Sequence, residues 1–294
     1  MNTESRNKGC AGFGFGVEFL PVNTTATEEQ IASYQQDGFL HVPAFLAADE
    51  VAELKQGVLD ALDEMGSRKI NDEDLGWEDK KQSYYDKVFT QRLNLHRIND
   101  TVKKYMLDAE LGRMVCDLEG VDGFRVWHDQ TLIKEPYGNP TAWHLDDPYW
   151  SFTSKHAISI WIALEDATLE NGCMWFVPGS HKIARFENVG IDENMASLFD
   201  VYPDMKNVDP VSVPMKAGDC SFHNGLTAHG AGANMTRGRR IAMTCGYMPA
   251  GSTFNGQANI LPPDYLASLS VGDVLDNEAQ NPLIFSRTAD APAT

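Results

Sequence analysis

The sequence predicts a mainly β fold with a helical layer, an antiparallel barrel or jelly roll flanked by N-terminal helices. Three observations predict it. Helical spacing of apolar residues is confined to the chain before Gly120. After Gly120, short β-type runs follow one another, separated by Gly, Pro, Asn and Asp. No internal repeat, heptad run or low-complexity block interrupts either half, and helices first with many strands after reads as two packed layers.

Residues 1–26 are rich in Gly and Thr and read as an N-terminal arm. Within it, Gly12-Phe13-Gly14-Phe15-Gly16 has no strand before it and no helix after it, which excludes a phosphate loop. A single domain follows over 27–294, with its barrel core at about 120–250. Thr27 caps a helix with acids in its first turn, and Asp37-Gly38 ends it. Phe39 to Pro43 is a short strand. From Ala47 to Met65, Val51, Leu54, Val58, Leu59 and Leu62 recur at helical spacing. The charged segment 66–92, with Trp77, Tyr84 and Tyr85, reads as a long loop or lid, and 98–119 as a pair of amphipathic helices. The strands expected after Gly120 are Phe124–Lys134, Ala157–Leu164, Met174–Val177, Pro210–Met215, Cys220–His223 and Arg240–Met248. The last thirty residues hold prolines and little periodicity.

The 294 residues carry a formal net charge of -18. Such acidity disfavours nucleic acid and anionic membrane surfaces as partners and leaves a small molecule as the expected one. No apolar run approaches the ~18–20 residues of a membrane span, and the N-terminus has no signal-peptide pattern. Five scattered cysteines without a Cys-x-x-Cys pair fit free thiols in a reducing cytoplasm. Oligomeric state is not legible.

Chemistry concentrates in two clusters. The first is Trp143-His144-Leu145-Asp146-Asp147-Pro148-Tyr149-Trp150. A His and a carboxylate two apart on an extended strand face the same way and can share one metal ion. The second is Gly218 to Asn234, which offers His223 or His229, followed by Arg237, Arg239 and Arg240. One more imidazole from here completes a 2-His-1-carboxylate face, which leaves three positions of an octahedral Fe(II) for a chelating 2-oxo acid and O2. An arginine one strand further on is what a distal carboxylate requires. Adjacent strand residues point to opposite faces, so only one of Arg239 and Arg240 can enter the barrel. His128 and His181 read as structural, and His41, His96 and His156 carry no signal.

Over about Thr27 to Pro249, the chain resembles the phytanoyl-CoA dioxygenase (PhyH) family of Fe(II)- and 2-oxoglutarate-dependent oxygenases. The resemblance rests on Gln36–Pro43, Trp127–Lys134, the Trp143-His144-Leu145-Asp146 motif and Asn171-Gly172-Cys173 through Pro178-Gly179-Ser180-His181. It implies a double-stranded β-helix barrel of the jelly-roll or cupin type. It also implies Fe(II) held by His144, Asp146 and His229, with 2-oxoglutarate and O2 as co-substrates. Arg240, eleven residues after His229, would bind the 2-oxoglutarate tail, and Lys87, Gln130 and Trp161 would line that site. One departure stands out: the family places a small hydroxyl residue two after the distal His, and this chain has Ala231. Thr227 or Thr131 could supply the hydroxyl.

The implied reaction is hydroxylation of a C–H bond of a small-molecule metabolite, with succinate and CO2 released. A carboxylate at Asp146 leaves no position for halide, which favours hydroxylation over halogenation. A Zn- or Mn-dependent enzyme on the same barrel would explain the ligands but not Arg240, and a non-catalytic binding barrel would explain neither. No basic cluster suits the phosphates of a CoA thioester. Loops around the barrel, 66–92 and the tail after Gly251, are where specificity is expected.

Overall fold

The computed structural model describes residues 26–68, 84–187 and 189–288. The expected arm lies outside the described residues apart from Ala26, as do 69–83 of the expected lid.

Helix α1 (Glu28–Asp37) begins with a capping box in which the Thr27 hydroxyl takes the Gln30 N–H and the Gln30 side chain takes the Thr27 N–H. Gly38 ends it at φ 81°, a left-handed cap that a Cβ would disfavour. Strand β1 (Phe39–Val42) follows directly, then helix α2 (Ala48–Met65), whose Val51, Leu54, Val58, Ala61 and Met65 are buried on one face. Strand β2 (Thr90–Leu93) occupies the end of the segment expected to be irregular. Its Thr-Gln-Arg-Leu sequence has no apolar alternation, and only pairing with a longer strand makes it extend. Helices α3 (Asp100–Met106) and α4 (Ala109–Glu119) are capped by Asn99 and Asp108, so the expected pair divides at Leu107-Asp108.

The β half comprises β3 (Gly123–Lys134), β4 (Thr141–His144), β5 (Ile158–Ala163) and β6 (Met174–Phe176). A short helix α5 (Ser197–Val201) leads to β7 (Val211–Val213), β8 (Cys220–Asn224), β9 (His229–Ala231) and β10 (Arg240–Pro249). The tail adds α6 (Pro263–Ser268) and β11 (Leu283–Ser286), neither marked by periodicity.

The strands form two antiparallel sheets. The larger runs β1-β8-β5-β10-β3, with β11 and β2 sharing the far edge of β3, and the smaller runs β4-β9-β6-β7. Alternation along the large sheet assigns its faces. Ile158, Ile160 and Ile162 of β5, Ile241, Met243, Cys245 and Tyr247 of β10, and Cys220 and Phe222 of β8 pack on the helices in one core. Their neighbours on the other face include Trp161, Ala163, Ala242 and Leu132, which pack on Met174, Phe176, Val213 and Ala231 of the small sheet. That second face also carries polar residues, Ser159, Ser221, His223 and Arg240, all buried. A face turned inward yet polar marks where chemistry sits. The four described cysteines are free and buried, and no helix among the described residues is long and apolar enough to cross a membrane.

Candidate active site

His144 ends β4 and His229 begins β9, and the two are cross-strand partners in the small sheet. That register, rather than sequence proximity, puts their ring centroids 4.1 Å apart. Asp146 reaches them differently from the expected extended strand. β4 stops at His144, and Asp146 has helical dihedrals (φ -80°, ψ -53°) at the start of a one-turn helix over Asp147–Tyr149. The Gly225 carbonyl fixes this turn by accepting the N–H groups of both Asp146 and Asp147 at 2.9 Å. Glycine leaves room for this close approach, because a Cβ at 225 would lie 3.1 Å from that of Asp147 and 3.2 Å from that of Ala157, tight enough that one of them would have to give.

The turn aims Asp146 Oδ1 at both imidazoles, 3.7 Å from His144 Nε2 and 3.6 Å from His229 Nε2. One donor atom from each of the three residues lies within 4.8 Å of the others. A cation bonded at about 2.1 Å draws its donors to roughly 3–3.5 Å apart, so the set fits a metal with little movement. The tautomers also fit. His144 Nδ1–H donates to the Ala142 carbonyl at 2.8 Å and His229 Nδ1–H to the Thr227 carbonyl at 2.9 Å, which leaves both Nε2 lone pairs for the ion.

The other carboxylate oxygen is held from the large sheet. Ser159 Oγ donates to Asp146 Oδ2 at 2.8 Å, and His223 Nε2 lies 3.2 Å from the same atom. Thus His223 does not join the donor cluster among the described residues; it orients the carboxylate that does. Burial pushes the Asp146 carboxyl up, but His229, His223 and His144 outweigh it and hold the group well below the usual carboxylate range. Burial holds His144 below its ordinary value and His229 well below. The site is therefore one anion and two neutral imidazoles, the protonation state a divalent cation needs.

Arg240 opens β10 opposite Lys134 of β3, fully buried. Its guanidinium carbon lies 5.0 Å from the Trp161 ring and 5.8 Å from the Phe89 ring. Nε, Nη1 and Nη2 have no hydrogen-bond partner among the described residues. An unpaired buried guanidinium is costly, and its planar fork is of the kind that grips a carboxylate bidentately. Arg239, one residue earlier, is exposed.

Trp161 thus meets Arg240. Gln130, half-buried on the same inward face, accepts a hydrogen bond from Gln91. Lys87 is not drawn into this cluster: it ends a helical turn (Tyr84–Lys87) with its side chain exposed. The two hydroxyls considered for the Ala231 position are committed elsewhere, Thr131 to the Ala242 carbonyl at 2.9 Å and Thr227 to the Gly38 carbonyl at 2.7 Å. The hydroxyl the structure puts beside Ala231 is that of Thr141, its cross-strand partner, and it is buried without a partner among the described residues. Ser221 Oγ, on the strand beside Trp161, is in the same condition.

Thr141 and Ser159 therefore stand beside the candidate site although the linear motifs passed over them, and His223, weighed there as a metal ligand, instead contacts Asp146. The available signal was a polar residue on the apolar side of an alternating strand, as with Ser159 inside Ile-Ser-Ile-Trp. His128, His181 and His156 are not among the donors that converge with His144, Asp146 and His229. His41 pairs with Asp219 at 3.3 Å and His96 with Asp129.

The sequence model of the phytanoyl-CoA dioxygenase (PhyH) family matches residues 34–242. In three dimensions the chain is similar to SnoK, a non-heme alpha ketoglutarate dependent carbocyclase from nogalamycin biosynthesis. That likeness has a TM-score of 0.73 and 29% identity, over 90% of this chain and 99% of that one. It is also similar to the epimerase SnoN in complex with Fe3+, alpha ketoglutarate and nogalamycin RO (TM-score 0.69, 30% identity, 87% of this chain and 98% of that one). The probable alpha-ketoglutarate-dependent hypophosphite dioxygenase of Stutzerimonas stutzeri is 24% identical over 229 residues, 76% of this chain and 78% of that protein.

Proposed function

The chain belongs to the phytanoyl-CoA dioxygenase family and is a non-haem iron, 2-oxoglutarate-dependent oxygenase, and we propose that it hydroxylates an unactivated C–H bond of a small-molecule metabolite. Succinate and CO2 are the co-products, and a double-stranded β-helix is the arrangement of the two sheets. The observation that carries this reading is the pairing of a convergent His144–Asp146–His229 set with a buried guanidinium that has no hydrogen-bond partner among the described residues.

Bound iron, with 2-oxoglutarate and O2, supplies the oxidising power for C–H cleavage. The side chains supply placement. His144, Asp146 and His229 hold the ion on one face, and Ser159 with His223 keeps Asp146 Oδ1 turned toward it. Arg240 receives the far carboxylate of 2-oxoglutarate between the faces of Trp161 and Phe89, which keep water out. Thr141 provides the hydroxyl that the family carries two residues after the distal His. Gln130 lines the same pocket, and Lys87 serves only at its rim. With a carboxylate at 146 as a ligand, no position would be left for halide, which would favour hydroxyl transfer over halogenation. The buried free thiols suit a cytoplasmic setting.

A second reading is ring closure or epimerisation after the same C–H cleavage. It is favoured by the 29–30% identity to a carbocyclase and an epimerase. Incubating the iron-loaded protein with 2-oxoglutarate and a panel of candidate metabolites separates the readings. A product heavier by one oxygen supports hydroxylation, whereas an isomer or a product lighter by two hydrogens supports the second reading. No substrate-triggered succinate with any member would count against both.

A further inference from the structure

Lys134 ends the longest strand of the large sheet with its side chain turned inward, and the residue is 0% exposed. Its Nζ donates to the Asn139 carbonyl at 2.9 Å and the Gly232 carbonyl at 2.7 Å. An ammonium has three donors, so one is left without an acceptor among the described residues. The amine lies 4.8 Å from the centre of the Phe89 ring, which Arg240 also approaches, at 5.8 Å. As direct cross-strand partners, Lys134 and Arg240 project from the same face.

Room for the lysine is built in. A Cβ at Gly172 would come within 2.9 Å of Lys134 Cδ, besides colliding with the Gly232 carbonyl. Two basic groups are therefore enclosed side by side, and among the described residues the lysine is hydrogen-bonded to neutral carbonyls. The titratable groups that influence Arg240 are Glu165 and Cys173. Glu165 is already engaged by Lys55 at 2.7 Å and by the Ile241 N–H at 3.0 Å, and burial pushes the Cys173 thiol up. No carboxylate among the described residues closes the pair. Burial, with Arg240 adding to it, lowers the Lys134 amine to about 6, which an arriving anion would reverse.

We propose that Lys134 is a second cationic anchor for the distal carboxylate of 2-oxoglutarate, acting beside Arg240 and selecting dicarboxylate over monocarboxylate 2-oxo acids. The proposal rests on the co-substrate reading given above. It assigns to Lys134, rather than to the exposed Lys87, the lysine function of this pocket.

The test is anaerobic titration calorimetry of the Fe(II)-loaded protein with two probes, 2-oxoglutarate and 2-oxopentanoate. The second has the same carbon chain with a methyl in place of the distal carboxylate. In Lys134→Met the dissociation constant for 2-oxoglutarate should rise about 10- to 100-fold, the loss of one charge-assisted hydrogen bond. That for 2-oxopentanoate should stay within about twofold of wild type, since its bonds to the metal are untouched. A purely structural lysine would weaken both ligands together, and that result, or an unchanged 2-oxoglutarate constant, overturns the proposal. If Lys134→Met and Lys134→Gln both fail to fold, the wild-type protein answers alone. At pH 7, in buffers of different ionisation enthalpy, 2-oxoglutarate should bind with net proton uptake relative to 2-oxopentanoate. Equal proton balances would overturn the assignment. Wild-type protein that binds neither acid would sink the co-substrate reading itself, and this inference with it.

Discussion

The two ends of the active site are built on opposite rules. At the metal end, each donor is held by another group: His144 and His229 through Nδ1 to backbone carbonyls, and Asp146 through Oδ2 to Ser159 and His223. At the end we propose for the co-substrate, three nitrogens of Arg240 and the hydroxyls of Thr141 and Ser221 have no hydrogen-bond partner among the described residues. The difference separates what folding completes from what a ligand completes. Orientation of metal ligands is fixed in advance, because a mis-rotated imidazole cannot be corrected by the ion at small cost. Buried donors without acceptors destabilise the empty protein and strengthen binding of the anion that satisfies them.

Substitutions can break or sharpen this contrast. The largest effect is expected at the metal end: His144→Ala, Asp146→Ala or His229→Ala should abolish coupled 2-oxoglutarate turnover and stoichiometric iron binding. Full activity in His229→Ala together with loss in His223→Ala would exchange the roles of those two histidines. Next comes Arg240→Met, which should raise the 2-oxoglutarate requirement by about 100-fold or more, while making the ligand-free protein more resistant to heat. Even a paired buried charge can often be replaced by an apolar residue with a neutral result or a gain of about 1–4 kcal/mol, and calorimetric melting of the apo form would report the gain. Melting at a lower temperature would mean that the guanidinium has a protein partner after all.

Weaker, and again at the metal end, Ser159→Ala should reduce iron affinity by about 10- to 100-fold without altering affinity for 2-oxoglutarate in the iron-saturated protein. Thr141→Val should do the reverse, raising the 2-oxoglutarate constant by roughly tenfold at unchanged iron affinity, the value of one hydrogen bond to a charged group. Similar effects of both variants on both ligands would erase the distinction between the two ends.

A further effect is one of pH. Lys134 has its folded value lowered to about 6, below that of the unfolded chain, so between the two the unfolded state holds more protons and stability rises with pH. That stabilising contribution is lost as pH falls through 6. Urea melts of the apo protein should therefore show the advantage of Lys134→Met over wild type greatest near pH 6 and shrinking toward pH 9. A constant difference across that range would show that the amine is charged throughout.

The sequence exposed one end of this site far better than the other. Strong local periodicity marked α1, α2, β3, β5, β8 and β10, and these carry the inward face of the large sheet. The His144–Asp146 pair was visible as a short motif, although its geometry is a turn tied to Gly225 and not an extended strand. Choosing His229 over His223 needed the family resemblance, because His223 sits within β8 and His229 opens β9 only six residues later, and it is the register of β4 on β9 that brings His229 to His144. Ser159, Thr141 and Lys134 were hidden for the same reason: each acts across strands, and cross-strand partners are separated by long stretches of chain. The short strands β2 and β11 carry no alternation of their own and exist because β3 offers them an edge.

The central claim, that three protein ligands leave half of a ferrous ion's sphere to a chelating co-substrate tied down by Arg240, has a direct optical test. Anaerobic Fe(II)-loaded protein titrated with 2-oxoglutarate should develop a visible absorption band that saturates at about one equivalent, and Arg240→Met should develop it only at much higher concentration. Absence of the band in wild-type protein that has bound iron, or its undiminished appearance in Arg240→Met, would contradict the account.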